Sequence, residues 1–468
     1  MPVNSFDDYP MSWRPDKGQL TSPLYLSLAN QLEYDILNGV LPAHTKLPPQ
    51  RELADFLDVN LSTVTRALKH CELKGLTYGV VGRGTFVAPL TEAGLTESRG
   101  NYIELASINP FDSCNRVVVK AAKYVLSKGY AEKLLDYGQP LGSPHQRQVA
   151  GRWLRRMGLD VPAERVAVAS GAQNALVIAL ISLFQPGDAI AVDPYTMSNF
   201  IELADMLHLR LVPVGQDEFG MRPDLLEEIC RRERVCGVYL MPSCQMPTTL
   251  MMDQARREKL ARVIRAHDLI TLEDDVYSFL APEGTVPLAA LAPEQTIHIC
   301  SMSKSLAAGL RVAFLTYPAR YARELLRGIY NVNVKTPSFN TEVVCTLIES
   351  GVAEEVIRDK LALARERNEV YHRHFTPGLG NENPLSFCRW LPLPAGVDGR
   401  AVEEEALKLG ARVFCSAHFR AEGREREQFL RVALSSPESR ERLERGLELL
   451  KQAIGNQTGR GGARPLVL

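Results

Sequence analysis

The sequence predicts a two-part α/β protein, with a small head of three helices and a β-hairpin before a large, mostly parallel α/β domain. The chain has 468 residues, which is too many for one compact core. Apolar residues near the N-terminus recur at helical spacing, whereas most of the chain alternates short Val/Ile-rich strands with longer helices. The hydrophobic fraction of 45% and the net charge of −1 are typical of a globular protein.

The head is predicted at residues 21–88, after a polar N-terminal extension of residues 1–20 that we expect to be disordered or loosely packed. Three helical segments and a hairpin follow one another, at residues 24–36, 53–57, 62–71 and 76–87. Ser62 is expected to cap the third helix, and Gly82-Arg83-Gly84 forms the hairpin turn. Three helices and a hairpin in so short a stretch predict a winged helix-turn-helix.

Residues 89–104 are rich in Pro, Thr, Glu, Gly and Ser and are predicted to form a linker. The large domain is predicted at residues 105–455, with strands at residues 165–169, 189–192, 237–241, 269–273 and 296–300. Their alternation with helices implies a mostly parallel sheet covered by helices. Long charged helices around a Trp390, Val413 and Leu430 strand set predict a small C-terminal α/β lobe, and residues 456–468 a mobile tail.

Several functional classes are disfavoured by the sequence. The longest apolar run, within residues 175–184, is half the length needed to span a bilayer, and the N-terminus lacks the layout of a signal peptide. The nine cysteines have no CxxC pairs and no His neighbours at metal-ligand spacing. We therefore expect a cytoplasmic protein without a membrane partner, a disulfide framework or a metal site.

One lysine has neighbours that suit a phosphate-bearing cofactor. In Ser301-Met-Ser-Lys304-Ser-Leu-Ala-Ala-Gly-Leu-Arg311, a hydroxyl precedes Lys304 by three residues and an arginine follows it by seven. This spacing suits a lysine held as a Schiff base on pyridoxal 5'-phosphate, with Ser301 and Arg311 on the phosphate, because a guanidinium binds phosphate oxygens in pairs. Taken alone, the run is also compatible with an ordinary basic loop.

The head resembles the winged-helix domain of GntR-type bacterial repressors, in Leu47-Pro-Pro-Gln-Arg51-Glu-Leu-Ala54, in Ser62-Thr-Val-Thr-Arg66-Ala67 and in the Gly82–Val87 wing. The resemblance implies binding to a double-stranded DNA operator. The first turns of the third helix and the wing tip are suited to phosphates and base edges. The residues expected at the DNA are Arg51, Ser62, Thr63, Thr65, Arg66 and Arg83. A winged helix that binds another protein is the alternative.

The large domain resembles fold-type I pyridoxal phosphate enzymes of the aspartate aminotransferase class, so that the whole chain looks like a MocR-type regulator of the GntR family. The resemblance rests on Lys304, Asp274, Arg431, the Tyr137-Gly-Gln-Pro-Leu-Gly142 segment and the Ser170-Gly171-Ala172-Gln173 turn. It implies that the turn and Ser301, Ser303 and Arg311 cradle the phosphate.

The same resemblance assigns roles around the cofactor ring and the substrate. Asp274 is expected to keep the pyridine nitrogen protonated, and Tyr277 to donate to the phenolic oxygen. Tyr137 is expected to reach the phosphate of a partner subunit, which implies a homodimer. Arg431 is expected to bind the carboxylate of an amino acid.

The chain departs from the family pattern at several positions of the site. Met246-Pro-Thr-Thr249 stands where the family has Asn-Pro-Thr-Gly, so one donor to the phenolic oxygen is missing. Thr196 occupies the place of the ring-stacking aromatic, for which the adjacent Tyr195 is the expected substitute. Ser416-Ala417 replaces a common Pro-Gly pair. These changes predict a site that binds amino compounds but completes transamination poorly.

The function predicted from the sequence is a pyridoxal phosphate-responsive transcriptional regulator, which senses the cofactor or its adduct with an amino acid or amine effector. Two alternatives stay open. One is a working aminotransferase with an accessory DNA-binding head, and the other is a regulator that has lost the cofactor.

Overall fold

The computed structural model describes residues 11–37, 39–80, 82–88, 102–376, 380–422 and 428–461. The chain divides into two compact units, Met1–Asn101 and Tyr102–Leu468. The first unit contains the elements α1 Leu24–Leu37, α2 Gln50–Leu57, α3 Leu61–Leu73, β1 Thr77–Val80 and β2 Gly84–Val87. The predicted winged helix-turn-helix is confirmed, because the two strands pair antiparallel and pack on three helices around one apolar core.

Two details of the head correct the sequence analysis. The extension predicted to be loose packs on the head in its described part, because Trp13 is 4% exposed and donates from Nε1 to Asp35 Oδ2 at 2.7 Å. Residues 1–10 lie outside the described residues. The predicted cap Ser62 is wrong: the N-cap of α3 is Asn60, whose side chain accepts from Ser62 N at 3.0 Å.

The large unit is built on a seven-stranded sheet with helices on both faces. Its strands in spatial order are β4 Val166–Ala169, β12 Ala313–Thr316, β11 Thr296–Ser301, β10 Ile270–Asp274, β9 Gly237–Leu240, β5 Ala189–Val192 and β6 Arg210–Pro213. Only β12 runs antiparallel to its neighbours, so the predicted mostly parallel sheet is confirmed.

Helices of the large unit cover the sheet as α4 Asn115–Leu126, α5 Pro144–Arg156, α6 Ala172–Leu183, α7 Ser198–Met206, α8 Pro223–Arg232, α9 Gln254–Ala266, α10 Leu288–Leu291, α11 Met302–Ser305, α12 Ala322–Asn333, α13 Ser338–Glu349 and α14 Val352–His372. A small hairpin joins β7 Gln216–Asp217 to β8 Gly220–Met221. Alternate residues of β4 enter opposite cores: Ala167 and Ala169 pack on one face, and Val166 and Val168 on the other.

The predicted small lobe is present around a three-stranded antiparallel sheet. Its elements are β3 Ile103–Glu104, β13 Cys388–Pro392, α15 Gly399–Leu409, β14 Ala411–Arg412, β15 Phe414–Cys415, β16 Phe429–Ala433 and α16 Arg440–Gly461. Two boundaries differ from the prediction. Strand β3 lies inside the predicted linker but pairs with β14, and α16 continues to Gly461, past the predicted start of the tail.

Most of the predicted linker, residues 89–101, and the end of the predicted tail, residues 462–468, lie outside the described residues. Within the part of the chain that is described, no helix is both long and apolar enough to cross a bilayer. All nine cysteines are free thiols.

Candidate cofactor site and nucleic-acid interface

The predicted phosphate cradle is assembled where β4 and β11 end. Gly171 lies between β4 and α6 with φ +88°, and a Cβ atom at this position would fall 2.5 Å from Arg311 Nη2. The close approach of backbone and guanidinium therefore requires glycine here. Ala172 and Gln173 begin α6, so backbone N–H groups and the positive end of the helix point to the same place as Arg311.

Hydroxyl groups surround this cradle. Ser301 caps α11, because its Oγ accepts from Ser303 N at 3.2 Å, and Ser303 Oγ in turn accepts from Arg311 Nη1 at 3.3 Å. Ser170 Oγ accepts from Asn333 Nδ2 at 2.8 Å. The structure therefore brings Ser170, Ser301, Ser303 and Arg311 together as a set of donors suited to a phosphate dianion.

Asp274 is placed to bind a cationic ring nitrogen. It ends β10 and is buried, and its Oδ2 accepts from the hydroxyl of Tyr239 on β9 at 2.9 Å. Its second oxygen, Oδ1, is buried without a partner in the described residues. Burial raises the pKa of Asp274 to about 6, and the hydrogen bond from Tyr239 opposes the rise. A buried carboxylate oxygen without a partner is suited to a protonated pyridine nitrogen.

Tyr277 and Met246 lie in the same buried region. Tyr277 is 2% exposed, and no residue in the described ranges hydrogen-bonds its hydroxyl. Burial holds the pKa of Tyr277 well above its ordinary value, so the phenol stays a donor. Met246 is 2% exposed with its Sδ 3.5 Å from Cys388 Sγ, and a thioether offers no donor.

The threonine at position 249, where the family has glycine, affects the backbone conformation. Thr249 stands where the family has glycine, and its φ is +63°, in the left-handed region that favours glycine. It is fully buried, and its Oγ1 has no partner among the described residues. The substitution therefore keeps the turn that a glycine would make, at a cost in backbone strain.

Lys304 and Arg431 are directed at one short segment of the chain, residues 104–109. Lys304 Nζ donates to the carbonyl oxygen of Ile108, and Arg431 Nη2 to that of Ala106. Burial, followed by the charge of Arg431, lowers the pKa of Lys304 to about 8. The predicted cofactor lysine and the predicted carboxylate-binding arginine are thus neighbours in one partly buried site.

Two predicted residues lie at the margin of this site. The Tyr195 ring packs on Trp390 and Phe429, with ring centroids 5.3 Å and 5.8 Å away, so that its contact with a cofactor ring stays a prediction. Tyr137 is 91% exposed, and its contact with a partner subunit also stays a prediction.

Sequence reasoning missed three residues of the site. Tyr239 binds Asp274 from the neighbouring strand. Asn333, the last residue of α12, and Thr336, in the loop that follows, lie beside Ser170. A signal for Tyr239 was available, because polar side chains near the carboxyl ends of adjacent parallel strands meet at the same edge. No signal in the local sequence marks Asn333 or Thr336.

The DNA-binding residues predicted in the head lie on α2, α3 and the wing. Arg51 is in the first turn of α2, Ser62 and Thr63 are in the first turn of α3, and Arg83 lies between β1 and β2. All but the partly buried Thr63 are exposed. Among the described residues, no carboxylate pairs with Arg51 or Arg83, which leaves both free for phosphate.

Thr65 and Arg66 make contacts within the head. Thr65 Oγ1 is 2.8 Å from Gln50 Oε1, which ties α3 to α2. The Arg66 guanidinium carbon lies 4.1 Å from the centre of the Tyr25 ring on α1. Arg66 is therefore held at the surface in a defined position, without a carboxylate partner in the part of the head that is described.

Comparison with known proteins identifies both parts of the chain. Residues 101–387 match the family "Aminotransferase class I and II", and residues 24–87 match "Bacterial regulatory proteins, gntR family". The chain is 37% identical over 464 residues to an uncharacterized HTH-type transcriptional regulator, YdeF, of Bacillus subtilis (strain 168), covering 98% of this chain and all of YdeF. The chain therefore belongs to the MocR-type regulators, which join a GntR head to a class I and II aminotransferase domain.

A more distant relative and a solved structure extend the comparison. The vitamin B6 salvage pathway transcriptional repressor PtsJ of Salmonella typhimurium (strain LT2) is 26% identical over 287 residues, covering 61% of this chain and 66% of PtsJ. The crystal structure of an archaeal alanine:glyoxylate aminotransferase superposes with a TM-score of 0.72 at 23% identity, covering 78% of this chain and 93% of that chain. The latter likeness shows the fold alone.

Pyridoxal 5'-phosphate is the cofactor of this domain, and the residues present fit it. Asp274 Oδ1 and the Tyr277 hydroxyl are buried polar atoms without partners in the described chain, and Gly171 leaves room beside Arg311. When bound, the cofactor supplies an aldehyde for amines and a ring that accepts electrons. Arg311 and the α6 N-terminus would hold its phosphate, Asp274 its ring nitrogen and Tyr277 its phenolic oxygen.

Proposed function

We propose that this regulator changes its affinity for a DNA operator when an amino acid reaches the cofactor at Lys304. The observation that supports the proposal is that Lys304 and Arg431 both donate to the 104–109 segment, at Ile108 O and Ala106 O. An effector with an amine and a carboxylate offers partners for the same two side chains. Its binding therefore competes with this segment.

The 104–109 segment is held at both ends. Glu104 Oε1 accepts from Ala106 N at 2.7 Å, while Ser436 Oγ accepts from Asn109 N at 2.8 Å. In the sequence, the segment directly follows the predicted linker to the head. A ligand that displaces it acts on the part of the chain closest to the linker, and this gives the two states between which an effector can discriminate.

The effector class follows from the two side chains. A free α-amino acid engages both Lys304, through the cofactor, and Arg431, through its carboxylate. A simple amine without a carboxylate leaves Arg431 on the carbonyl of Ala106. We therefore expect amino acids to shift the equilibrium between the two states further than amines do.

A homodimer is the assembly that we propose for the large domain. The Tyr137 and Leu135 side chains are 91% and 82% exposed. Further exposed apolar side chains cluster in two stretches, Val119, Tyr124, Leu126 and Tyr130 in one and Leu326, Tyr330, Val332 and Val334 in the other. Lys335 Nζ donates to Ser338 Oγ and lies against Gly138, so the second of these stretches lies near Tyr137. A surface of this kind favours a partner subunit, and a dimer would read two half-sites of an operator.

The two alternatives are weaker. Efficient transamination is disfavoured by Met246. The family uses an Asn and a Tyr as donors to the phenolic oxygen, and of this pair the chain keeps the tyrosine, Tyr277. Loss of the cofactor is disfavoured by the intact set of Lys304, Arg311 and Asp274. The proposed operator binding and the nine free cysteines favour a cytoplasmic location.

The visible spectrum of the purified protein tests this function. With pyridoxal phosphate we expect a visible absorption band when the cofactor is attached at Lys304. Borohydride reduction should remove this band and leave the cofactor covalently bound to this residue in the wild type, and not in Lys304→Ala. Adding a panel of amino acids and matched amines should change the band, and the compounds that change it most should change operator affinity. Rapid turnover of an amino acid would favour the enzyme, and a colourless protein would favour loss of the cofactor.

A further inference from the structure

A second lysine is buried directly behind Lys304. Lys360, on α14, is 0% exposed, and its Nζ donates to Lys304 O at 3.0 Å and to Leu306 O at 2.6 Å. Among the described residues no carboxylate lies within ion-pair distance of it, although Asp112 is close enough to act on its charge. A buried ammonium is costly unless it is well hydrogen-bonded, so its retention in this place requires an explanation.

The two acceptors lie at the C-terminal end of a short helix of the site, Lys304 within it and Leu306 as its C-cap. Helix α11 has four residues and carries Lys304, and the carbonyls at the end of such a helix lack helical partners. Ser301 caps its first turn, and Lys360 provides donors and a positive charge at its last turn. The short helix that carries Lys304 is therefore fixed at both ends by side chains of residues that lie outside it.

Burial is the main reason why the pKa of the Lys304 amine is lowered, and nearby positive charges lower it further. These charges belong to Arg431, Lys360 and Arg311, and the Cys388 thiol opposes them. Burial lowers the pKa of Lys360 itself to about 8, so that it still carries its charge near neutral pH. An amine that loses its proton more readily reacts more readily with an aldehyde.

We propose that Lys360 is a positioning residue for Lys304, which holds the carbonyls of Lys304 and Leu306 and thereby sets the direction and reactivity of the cofactor lysine. The inference rests on the proposed role of Lys304, and it deepens the account of that site. It assigns a function to a buried cation whose hydrogen bonds go to the backbone carbonyls of Lys304 and Leu306.

Three variants of the full-length protein test the proposal: Lys360→Met, which removes the charge and the donors; Lys360→Arg, which keeps both; and Lys451→Met, an exposed control on α16. In the cofactor-free protein, the pH dependence of Lys304 acylation by a neutral reagent is followed by peptide mass spectrometry. Lys360→Met should move the midpoint to higher pH and weaken pyridoxal phosphate binding about tenfold. Lys360→Arg should recover part of both, and Lys451→Met should match the wild type.

An unchanged acylation profile and cofactor affinity in a folded Lys360→Met protein would overturn the proposal. If that variant does not fold, Lys360→Gln keeps an amide donor for the carbonyls and takes its place in the comparison. Failure of both to fold would show that Lys360 serves global stability, which also overturns the proposal as stated. Borohydride trapping at Lys304 in the wild type separately tests the proposed function, because the acylation profile needs no bound cofactor.

Discussion

The hydroxyl of Tyr239 donates to Asp274 Oδ2 at 2.9 Å and leaves Asp274 Oδ1 without a partner in the described residues. The Tyr239 ring is in turn stacked on Phe200, with ring centroids 3.8 Å apart. The carboxylate that is predicted to face the cofactor ring is thus oriented by a rigid neighbour, and one of its oxygens has no partner among the described residues.

This relationship predicts a pH dependence of cofactor binding. Burial raises the pKa of Asp274 to about 6, and only the ionised carboxylate pairs with a protonated ring nitrogen. Affinity for pyridoxal phosphate should therefore fall as pH decreases through about 6. In Tyr239→Phe the pKa of Asp274 should rise further, since a hydrogen bond to the carboxylate is lost, and the midpoint should move to higher pH by roughly one unit. Absorbance titrations at several pH values measure both midpoints, and equal midpoints would count against the assigned role of Tyr239.

A second prediction concerns Met246. An asparagine at this position would add a donor to the phenolic oxygen beside Tyr277, which stabilises the negative charge there by about 1–3 kcal/mol. Met246→Asn should lower the pKa at which the visible absorption band of the bound cofactor changes with pH. It should also speed up any half-transamination. A spectrophotometric pH titration and single-turnover measurements with an amino acid provide the test. Met252→Asn, at a buried methionine of a neighbouring core, is the control.

A third prediction concerns the 104–109 segment. Ser436→Ala removes the hydroxyl that accepts from Asn109 N and donates to Ser107 O, so the segment should leave the site more easily. The amino acid effector should then bind up to about tenfold more tightly, while the change in operator affinity that it causes should decrease. Calorimetry with the cofactor-loaded protein measures the first effect. Ser350→Ala, at the exposed end of α13, should leave both quantities unchanged.

A fourth prediction concerns operator binding by the head. Arg51→Ala and Arg66→Ala should each weaken operator binding, by roughly 1–3 kcal/mol where the arginine contacts a base and by less where it contacts phosphate alone. Binding should also weaken as salt increases, because phosphate contacts release counterions. Affinity for the gene's upstream region at two salt concentrations is the measurement, with Arg232→Ala on the large domain as the control. Wild-type affinity in both variants would indicate a head that binds another protein.

The local signals in the sequence were sufficient for the architecture. Periodicity and turn residues predicted three helices, a hairpin and a parallel sheet, because each of these leaves a pattern within about ten residues. The errors arose where the determining contact is distant. Trp13 packs against α1 and Ile103 pairs with Ala411, and neither partner is visible from the polar stretches in which these residues lie.

The residues of the site also fall into two groups, those that local spacing predicts and those that only the fold brings together. Lys304, Ser301 and Arg311 lie within one short run, and their association was predicted from spacing. Tyr239, Asn333 and Lys360 reach the site from separate elements, and only the fold brings them close. The use of the 104–109 segment as an acceptor for Lys304 and Arg431 depends on backbone carbonyls, which a sequence does not distinguish.

The central claim is that chemistry at Lys304 changes DNA binding, and operator affinity tests it most directly. Wild type and Lys304→Ala are compared at fixed salt, each without additions, with pyridoxal phosphate, and with pyridoxal phosphate plus the effective amino acid. We predict that the amino acid changes the affinity of the wild type several-fold and leaves Lys304→Ala unchanged. An equal response of both proteins, or no response of a wild type that carries the cofactor, would contradict the account.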